Sequence, residues 1–159
     1  MILKWIGAGI LLLSAVGYGW VKIREERRRA AQTEAAQAMI GEIREQIAYF
    51  MKPLPEIFAA YRHPVLEECG FLPLCRQENL RAAWEKAPLC LPEKLMKVTQ
   101  DFVGHIGGGY REDVLRICDY TLEQYEKVIR EMHSELKNRE KLYRTIPPLL
   151  AVSVLLLLI

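Results

Sequence analysis

Apolar residues are concentrated at the two ends of this chain, whereas the middle mixes apolar and charged positions with helical spacing. Trp5–Val21 contains no charged residue, and neither does Ile146–Ile159. A helix that spans a bilayer needs roughly 17–25 apolar residues, a length that the first stretch just reaches. We therefore predict a transmembrane helix within residues 1–21 and a shorter transmembrane or tail segment over residues 146–159. An interfacial plug or a buried core helix is the alternative for the second stretch.

Positive charges flank both apolar stretches on the side that faces the middle of the chain. They are Lys22, Arg24, Arg27, Arg28 and Arg29 after the first stretch, and Lys137, Arg139, Lys141 and Arg144 before the second. Lys and Arg next to a membrane span stay in the cytoplasm, so both ends independently predict a cytoplasmic domain over residues 22–145. A cleaved signal peptide is the alternative for the first stretch, but its basic run lies on the wrong side.

The middle of the chain has helical periodicity and no alternating strand pattern. A long first helix, from about Val21 to Met51, carries apolar residues on one face, namely Ala36, Ile40, Ile43, Ile47 and Phe50. A long last helix, over about 112–144, has apolar residues at steps of three and four, namely Leu115, Cys118, Leu122, Tyr125, Ile129, Met132 and Leu136. One helix leaves the membrane and the other returns, which predicts an all-α, membrane-anchored antiparallel helical bundle. An intermolecular coiled coil is the alternative for the last helix.

Shorter helices are predicted between these two. One covers Leu54–Tyr61, and a second covers Leu80–Ala87 with Asn79 as its N-cap. A third begins after Pro92 and ends at a run of glycines; its predicted inward face is Leu95, Val98, Phe102 and Ile106. Residues 64–78 remain ambiguous between helix and loop.

Candidate chemistry is sparse. The net charge of +2 does not indicate a nucleic-acid partner. Cys69 and Cys75, with His63 nearby, are the best metal candidates, but their spacing matches none of the usual zinc motifs. No nucleophile and base follow a recognisable order, so we predict no catalytic residue, metal or cofactor. A membrane-anchored metal-dependent regulator or enzyme that uses these three residues is the alternative.

Three short stretches, taken in order, resemble the stage III sporulation protein AB family of endospore-forming Firmicutes. They are Ile43–Tyr49 leading to Pro53 and Leu54, Ala83–Glu85, and Phe102–Gly107. The resemblance covers nearly the full chain, including the apolar tail. The family has a Leu-Gly pair where this chain has Ile106 and Gly107. It often has Asp and then Gln after that pair, whereas this chain has Tyr110 and Val114 at those places.

The resemblance implies a non-enzymatic platform in a secretion-like channel between mother cell and forespore. The family's soluble domain is similar to the helical domains of the type II secretion F protein. By that analogy the chain binds a cytoplasmic secretion-type ATPase and other stage III channel proteins, and a homo-oligomer is left open. The expected location is the mother-cell membrane that faces the forespore.

Two surfaces are candidates for partner contact. The basic collar consists of Arg24, Arg27, Arg28 and Arg29, and the distal turn contains Gly107, Tyr110 and Arg111. The alternative for the collar is attraction to anionic lipid, and the alternative for the turn is a plain loop. A receptor-like signalling adaptor would need an external sensor region, for which the two predicted anchors leave few residues.

Overall fold

The computed structural model describes residues 2–158, apart from most side chains of residues 2–18 and 140–158. Within this part the chain folds into helices without strands, which confirms the all-α prediction. The helices are α1 (Ile2–Phe50), α2 (Leu54–Ala60), α3 (Pro64–Glu68), α4 (Phe71–Gln77), α5 (Leu80–Lys86), α6 (Glu93–His105) and α7 (Arg111–Leu158).

The first apolar stretch lies within α1, which covers 49 residues. Nearly all of the second lies within α7, which covers 48 residues. Most of the side chains on which the predicted membrane segments depend lie outside the described residues. In the part of the chain that the structure describes, no helix has both the length and the apolar character needed to cross a membrane. Membrane anchoring therefore stays a prediction.

The chain divides into two compact units. Residues 29–131 form the larger one, which contains the second half of α1, the five short helices and the first part of α7. The outer parts of α1 and α7 form the other. In the larger unit, Arg44 of α1 forms an ion pair with Asp119 of α7, and Arg111 donates to the carbonyl of Ala48. The contact in α1 moves from residue 48 to residue 44 as the contact in α7 moves from residue 111 to residue 119, so the two helices are antiparallel there.

The face that α7 buries is rotated relative to the predicted seam. Leu115 and Leu122 are only half-buried, whereas Cys118 and Tyr125 are fully buried as predicted. Thr121 is buried in place of Leu122, and its hydroxyl donates to the carbonyl of Ile117 at 2.8 Å, which compensates the cost of burying it. The buried face consists of Val114, Cys118, Thr121, Tyr125 and Val128. It keeps the predicted steps of three and four but begins one position earlier.

The inward face of α6 follows the prediction with one shift. Leu95, Phe102 and Ile106 are buried, but Val98 is only half-buried and Thr99 is buried beside it. Such a shift by one position places a hydroxyl group in the core, where an unpaired polar group would be costly. The side chain of Thr99 must therefore find partners within the protein.

Thr99 finds these partners on its own helix and on α7. Its hydroxyl donates to the carbonyl of Leu95 at 2.7 Å, and its Oγ1 lies 2.7 Å from the Oη of Tyr125. Because the Thr99 proton is directed to Leu95, the Tyr125 hydroxyl is the donor in the second bond. Burial raises the pKa of Tyr125 to about 12, so this donor keeps its proton. The bond joins α6 to α7 inside the core.

The ambiguous segment 64–78 forms two helices, α3 and α4, joined through Gly70. Gly70 has a φ of 80°, a left-handed conformation that glycine adopts without steric cost. Arg76 of α4 ties the segment to α2, since its guanidinium donates to the carbonyls of Phe58 at 2.9 Å and Tyr61 at 2.8 Å. It also pairs with Glu67 of α3, which lowers the pKa of that carboxyl group. One side chain therefore fixes three short helices that have little helical stability alone.

Candidate functional site

The four arginines of the basic collar are exposed on α1. Arg27, Arg28 and Arg29 are consecutive, and consecutive residues of a helix point about 100° apart. Arg27 and Arg29 therefore differ by about 200° around the helix, so the four side chains cannot all face one partner. Of the four, Arg27 lines a cavity in the unit formed by the outer parts of α1 and α7. The sequence predicted the collar but not this division of its members.

This interhelical cavity has a volume of about 250 Å³. Its lining combines cationic side chains with two half-buried apolar ones, and consists of Ile23, Glu26, Arg27, His133, Leu136, Lys137 and Arg139. Arg139 forms an ion pair with Glu26 across the two helices. Glu26 is the one carboxylate of this lining, beside the cationic side chains of Arg27, Lys137 and Arg139.

The distal turn connects α6 to α7. Gly107 and Tyr110 are exposed, and Arg111 begins α7. Gly109 has a φ of 143°, which lies in a region that side chains other than glycine rarely adopt. Because the guanidinium of Arg111 donates to the carbonyl of Ala48, the turn lies beside the end of α1.

Large apolar side chains are exposed at this end of the larger unit. Tyr49, Phe50 and Met51 at the end of α1 are 76%, 64% and 72% exposed, and Tyr110 of the turn is 85% exposed. We call these four residues the distal patch. Exposed apolar surface that is contiguous is typical of protein interaction sites.

The prediction that Phe50 belongs to the packing face of α1 is wrong. Ala36, Ile40 and Ile43 are buried as predicted, Ile47 is half-buried, and the helix then ends at Phe50. The next residue leaves the helix with a φ of 51°, and the chain turns away. The periodic pattern therefore continues one turn past the core. The prolines at positions 53 and 55 were the available signal that Phe50 lies at the tip of the helix.

Of the metal candidates of the sequence, His63 and Cys69 flank the two ends of α3, whereas Cys75 lies in α4. Among the described residues, no group of three or more His, Cys, Asp or Glu side chains is placed to hold a metal ion. Cys75 is buried, and desolvation raises the pKa of its thiol to about 12. Cys69 is half-buried, with its sulfur 3.5 Å from the carbonyl of Leu66, and the ring of His63 stacks on Tyr61. The two thiols therefore behave as small apolar packing groups.

Cysteine labelling tests this arrangement. Cys90 is exposed, whereas Cys75 and Cys118 are buried, and burial raises the pKa of Cys118 to about 11. Because alkylation needs an accessible thiolate, iodoacetamide at mildly alkaline pH should modify Cys90 first, and the two buried thiols only after urea unfolds the chain. Peptide mass spectrometry over a time course measures this order. Labelling of Cys75 as fast as Cys90 in the folded protein would contradict the described core.

Comparison with known proteins gives one result that bears on identity. The family model described as stage III sporulation protein AB matches residues 4–159. No curated protein and no solved structure shows a significant match. The family match covers both apolar ends, the basic collar and the whole helical middle, in agreement with the resemblance seen in the sequence. The chain belongs to the stage III sporulation protein AB family.

Proposed function

We propose that this protein is a non-enzymatic membrane scaffold in a secretion-like channel complex needed for sporulation. The family match over residues 4–159 carries this proposal, because it links the chain to stage III of sporulation. The scaffold docks a cytoplasmic secretion-type ATPase and other stage III channel proteins. Its location is the mother-cell membrane that faces the forespore.

The charge pattern supports the membrane part of the proposal. An uncharged, apolar stretch stands at each end of the chain, with cations on the inward side of each. This arrangement favours a cytoplasmic position for the helical middle. The second stretch would be about 21 Å long as a helix, which is shorter than the roughly 30 Å hydrocarbon core.

The distal patch supports the platform part. Its four side chains extend from the end of α1 and from the α6–α7 turn, which the contact between Arg111 and Ala48 holds together. Aromatic residues and methionine are enriched where proteins contact each other. The helical bundle presents this patch to the ATPase, so the protein acts by positioning its partner rather than by catalysis.

Reporter fusions test the proposed topology. A fluorescent protein inserted between Gly108 and Gly109, in the exposed turn, should fluoresce as a cytoplasmic protein. Alkaline phosphatase fused after Ile159 should be active, since that enzyme requires a non-cytoplasmic location. Fusion of each reporter at the opposite site is the control. A fluorescent C-terminal fusion together with an active phosphatase in the turn would refute the topology.

A further inference from the structure

We infer that Met51 is the hot-spot residue of the distal patch, and that its side chain enters an apolar pocket of the docked protein. This inference rests on the proposed function, in which the patch docks the ATPase. Met51 lies in the connection between α1 and α2. Its backbone conformation and the exposure of its side chain carry the argument.

The backbone of Met51 has a left-handed conformation that is unfavourable for its residue type. Its φ is 51°, whereas the other positive φ values of the described residues, 80° and 143°, belong to Gly70 and Gly109. In this region a Cβ atom crowds the neighbouring carbonyl oxygen, and glycine avoids that contact because it has no Cβ. The chain therefore has a large side chain at a position where glycine would cost less.

The short connection between the two helices imposes this conformation. Since α1 ends at Phe50 and α2 begins at Leu54, three residues join them. The amide of Lys52 donates to the carbonyl of Gln46 at 3.4 Å, so the chain bonds back to the end of α1 directly after the left-handed residue. Helices that end with a left-handed residue usually have glycine there. The turn therefore requires the conformation of Met51 but not its side chain.

The side chain of Met51 gains little from the protein core in return. It is 72% exposed, and burial of apolar surface is the contribution that could compensate the strain. The end of α1 is held independently, because the guanidinium of Arg111 donates to the carbonyl of Ala48. Within this chain the methionine thus lowers stability without a matching gain. Strained residues of this kind persist where a function uses them.

The chemistry of methionine fits a residue that enters a partner's pocket. Its unbranched thioether side chain adapts to irregular apolar surfaces and makes favourable contacts with aromatic rings. Tyr49 and Phe50 precede it directly and are 76% and 64% exposed, so they supply aromatic surface beside it. The pocket of the docked protein is therefore apolar and lies opposite the turn between α1 and α2.

Three substitutions of Met51 in the full chain separate docking from stability. Met51→Gly removes both the side chain and the strain. Met51→Asn replaces the apolar side chain by a polar one that tolerates the left-handed conformation. Met51→Leu keeps an apolar side chain and the strain. In mild detergent, each protein is titrated against the purified ATPase carrying a fluorescent label, and urea unfolding followed by circular dichroism measures its stability.

Binding and stability should change in opposite directions. Met51→Gly and Met51→Asn should raise the half-saturating concentration about 30-fold, the usual effect of losing a hot-spot side chain. The same two variants should lower the equilibrium constant of unfolding about threefold, because the strain is relieved. Met51→Leu should weaken binding by no more than about threefold. The control Met96→Ala truncates a methionine that is 42% exposed outside the patch, and it should bind normally.

A residue with only a structural role would lose stability and binding together, so lower stability of Met51→Gly would overturn the inference. Normal binding by Met51→Gly would also overturn it, and so would a loss in Met51→Leu as large as that in Met51→Gly. If Met51→Gly abolishes self-association in sedimentation equilibrium but still binds the ATPase, the pocket belongs to a second copy and the inference is wrong.

Failure of the inference can be told apart from failure of the proposed function. If Phe50→Ser with Tyr110→Ser weakens ATPase binding while Met51→Gly does not, the patch docks the ATPase but Met51 is not its hot spot. If the unaltered chain does not bind the ATPase at all, the proposed docking function fails, and the inference fails with it.

Discussion

Replacing Phe102 by alanine is expected to lower the free energy of unfolding by about 3–5 kcal/mol. Phe102 is 1% exposed on α6, one helical turn after Thr99, whose hydrogen bond with Tyr125 joins α6 to α7. Truncation removes most of a buried aromatic ring and leaves a cavity that the surrounding helices fill only partly. Folded domains have about 5–15 kcal/mol of stability, so this loss is a large share of the total.

Urea unfolding of the full chain in a mild detergent, followed by near-ultraviolet circular dichroism, measures this effect. The matched control is Met96→Ala, which truncates a large side chain that is 42% exposed on the same helix. Exposed substitutions usually change stability by less than about 0.5 kcal/mol. Equal losses in the two variants would contradict the described inward face of α6.

The helical class and most helix positions follow from sequence periodicity alone. Asn79 caps α5 as predicted, with its side-chain oxygen accepting from the amide of Ala82 at 2.8 Å. Such a cap is local, since its partners lie within one helical turn. Leu95 and Phe102 are buried as predicted because a strongly amphipathic helix has one possible inward face.

Contacts between distant residues could not be predicted in this way. The side-chain oxygen of Gln32 accepts from the amide of Cys90 at 2.8 Å, although the two lie 58 positions apart. Gln32 is 4% exposed, whereas a polar residue in a long helix is expected to face water. The carbonyl contacts of Arg76 are of the same kind. A polar side chain can be buried only where the fold supplies a hydrogen-bond partner for it. The periodicity of the sequence does not show which distant residue that partner is.

The same distinction between local signals and contacts of distant residues applies to the candidate site. Tyr110 and Arg111 were predicted from a glycine-rich turn, which is a local signal. Their neighbours at the end of α1 were missed, because only the contact between Arg111 and Ala48 shows that the two chain segments meet. Likewise, Arg27 was predicted as one of four equivalent collar residues, and its place in the cavity lining distinguishes it from Arg28.

Loss of the distal patch should abolish partner docking without unfolding the bundle. In the variant Phe50→Ser with Tyr110→Ser, both substituted side chains are mostly exposed, so the stability of the protein should change little. Aromatic residues at the centre of an interface often contribute at least about 2 kcal/mol each to binding. Losing both should weaken binding by about a thousandfold, which predicts a severe defect in spore formation.

Counts of heat-resistant spores and affinity capture of the proposed ATPase partner from sporulating cells measure the two consequences. The matched control is Met96→Ser with Tyr120→Ser, which removes exposed apolar side chains outside the patch, 42% and 57% exposed. The control should form spores and capture the ATPase normally. Normal spore counts in the patch variant would refute the role of the patch. A defect of equal size in the control would show instead that exposed apolar surface in general supports the assembly, because the two pairs differ mainly in where they lie.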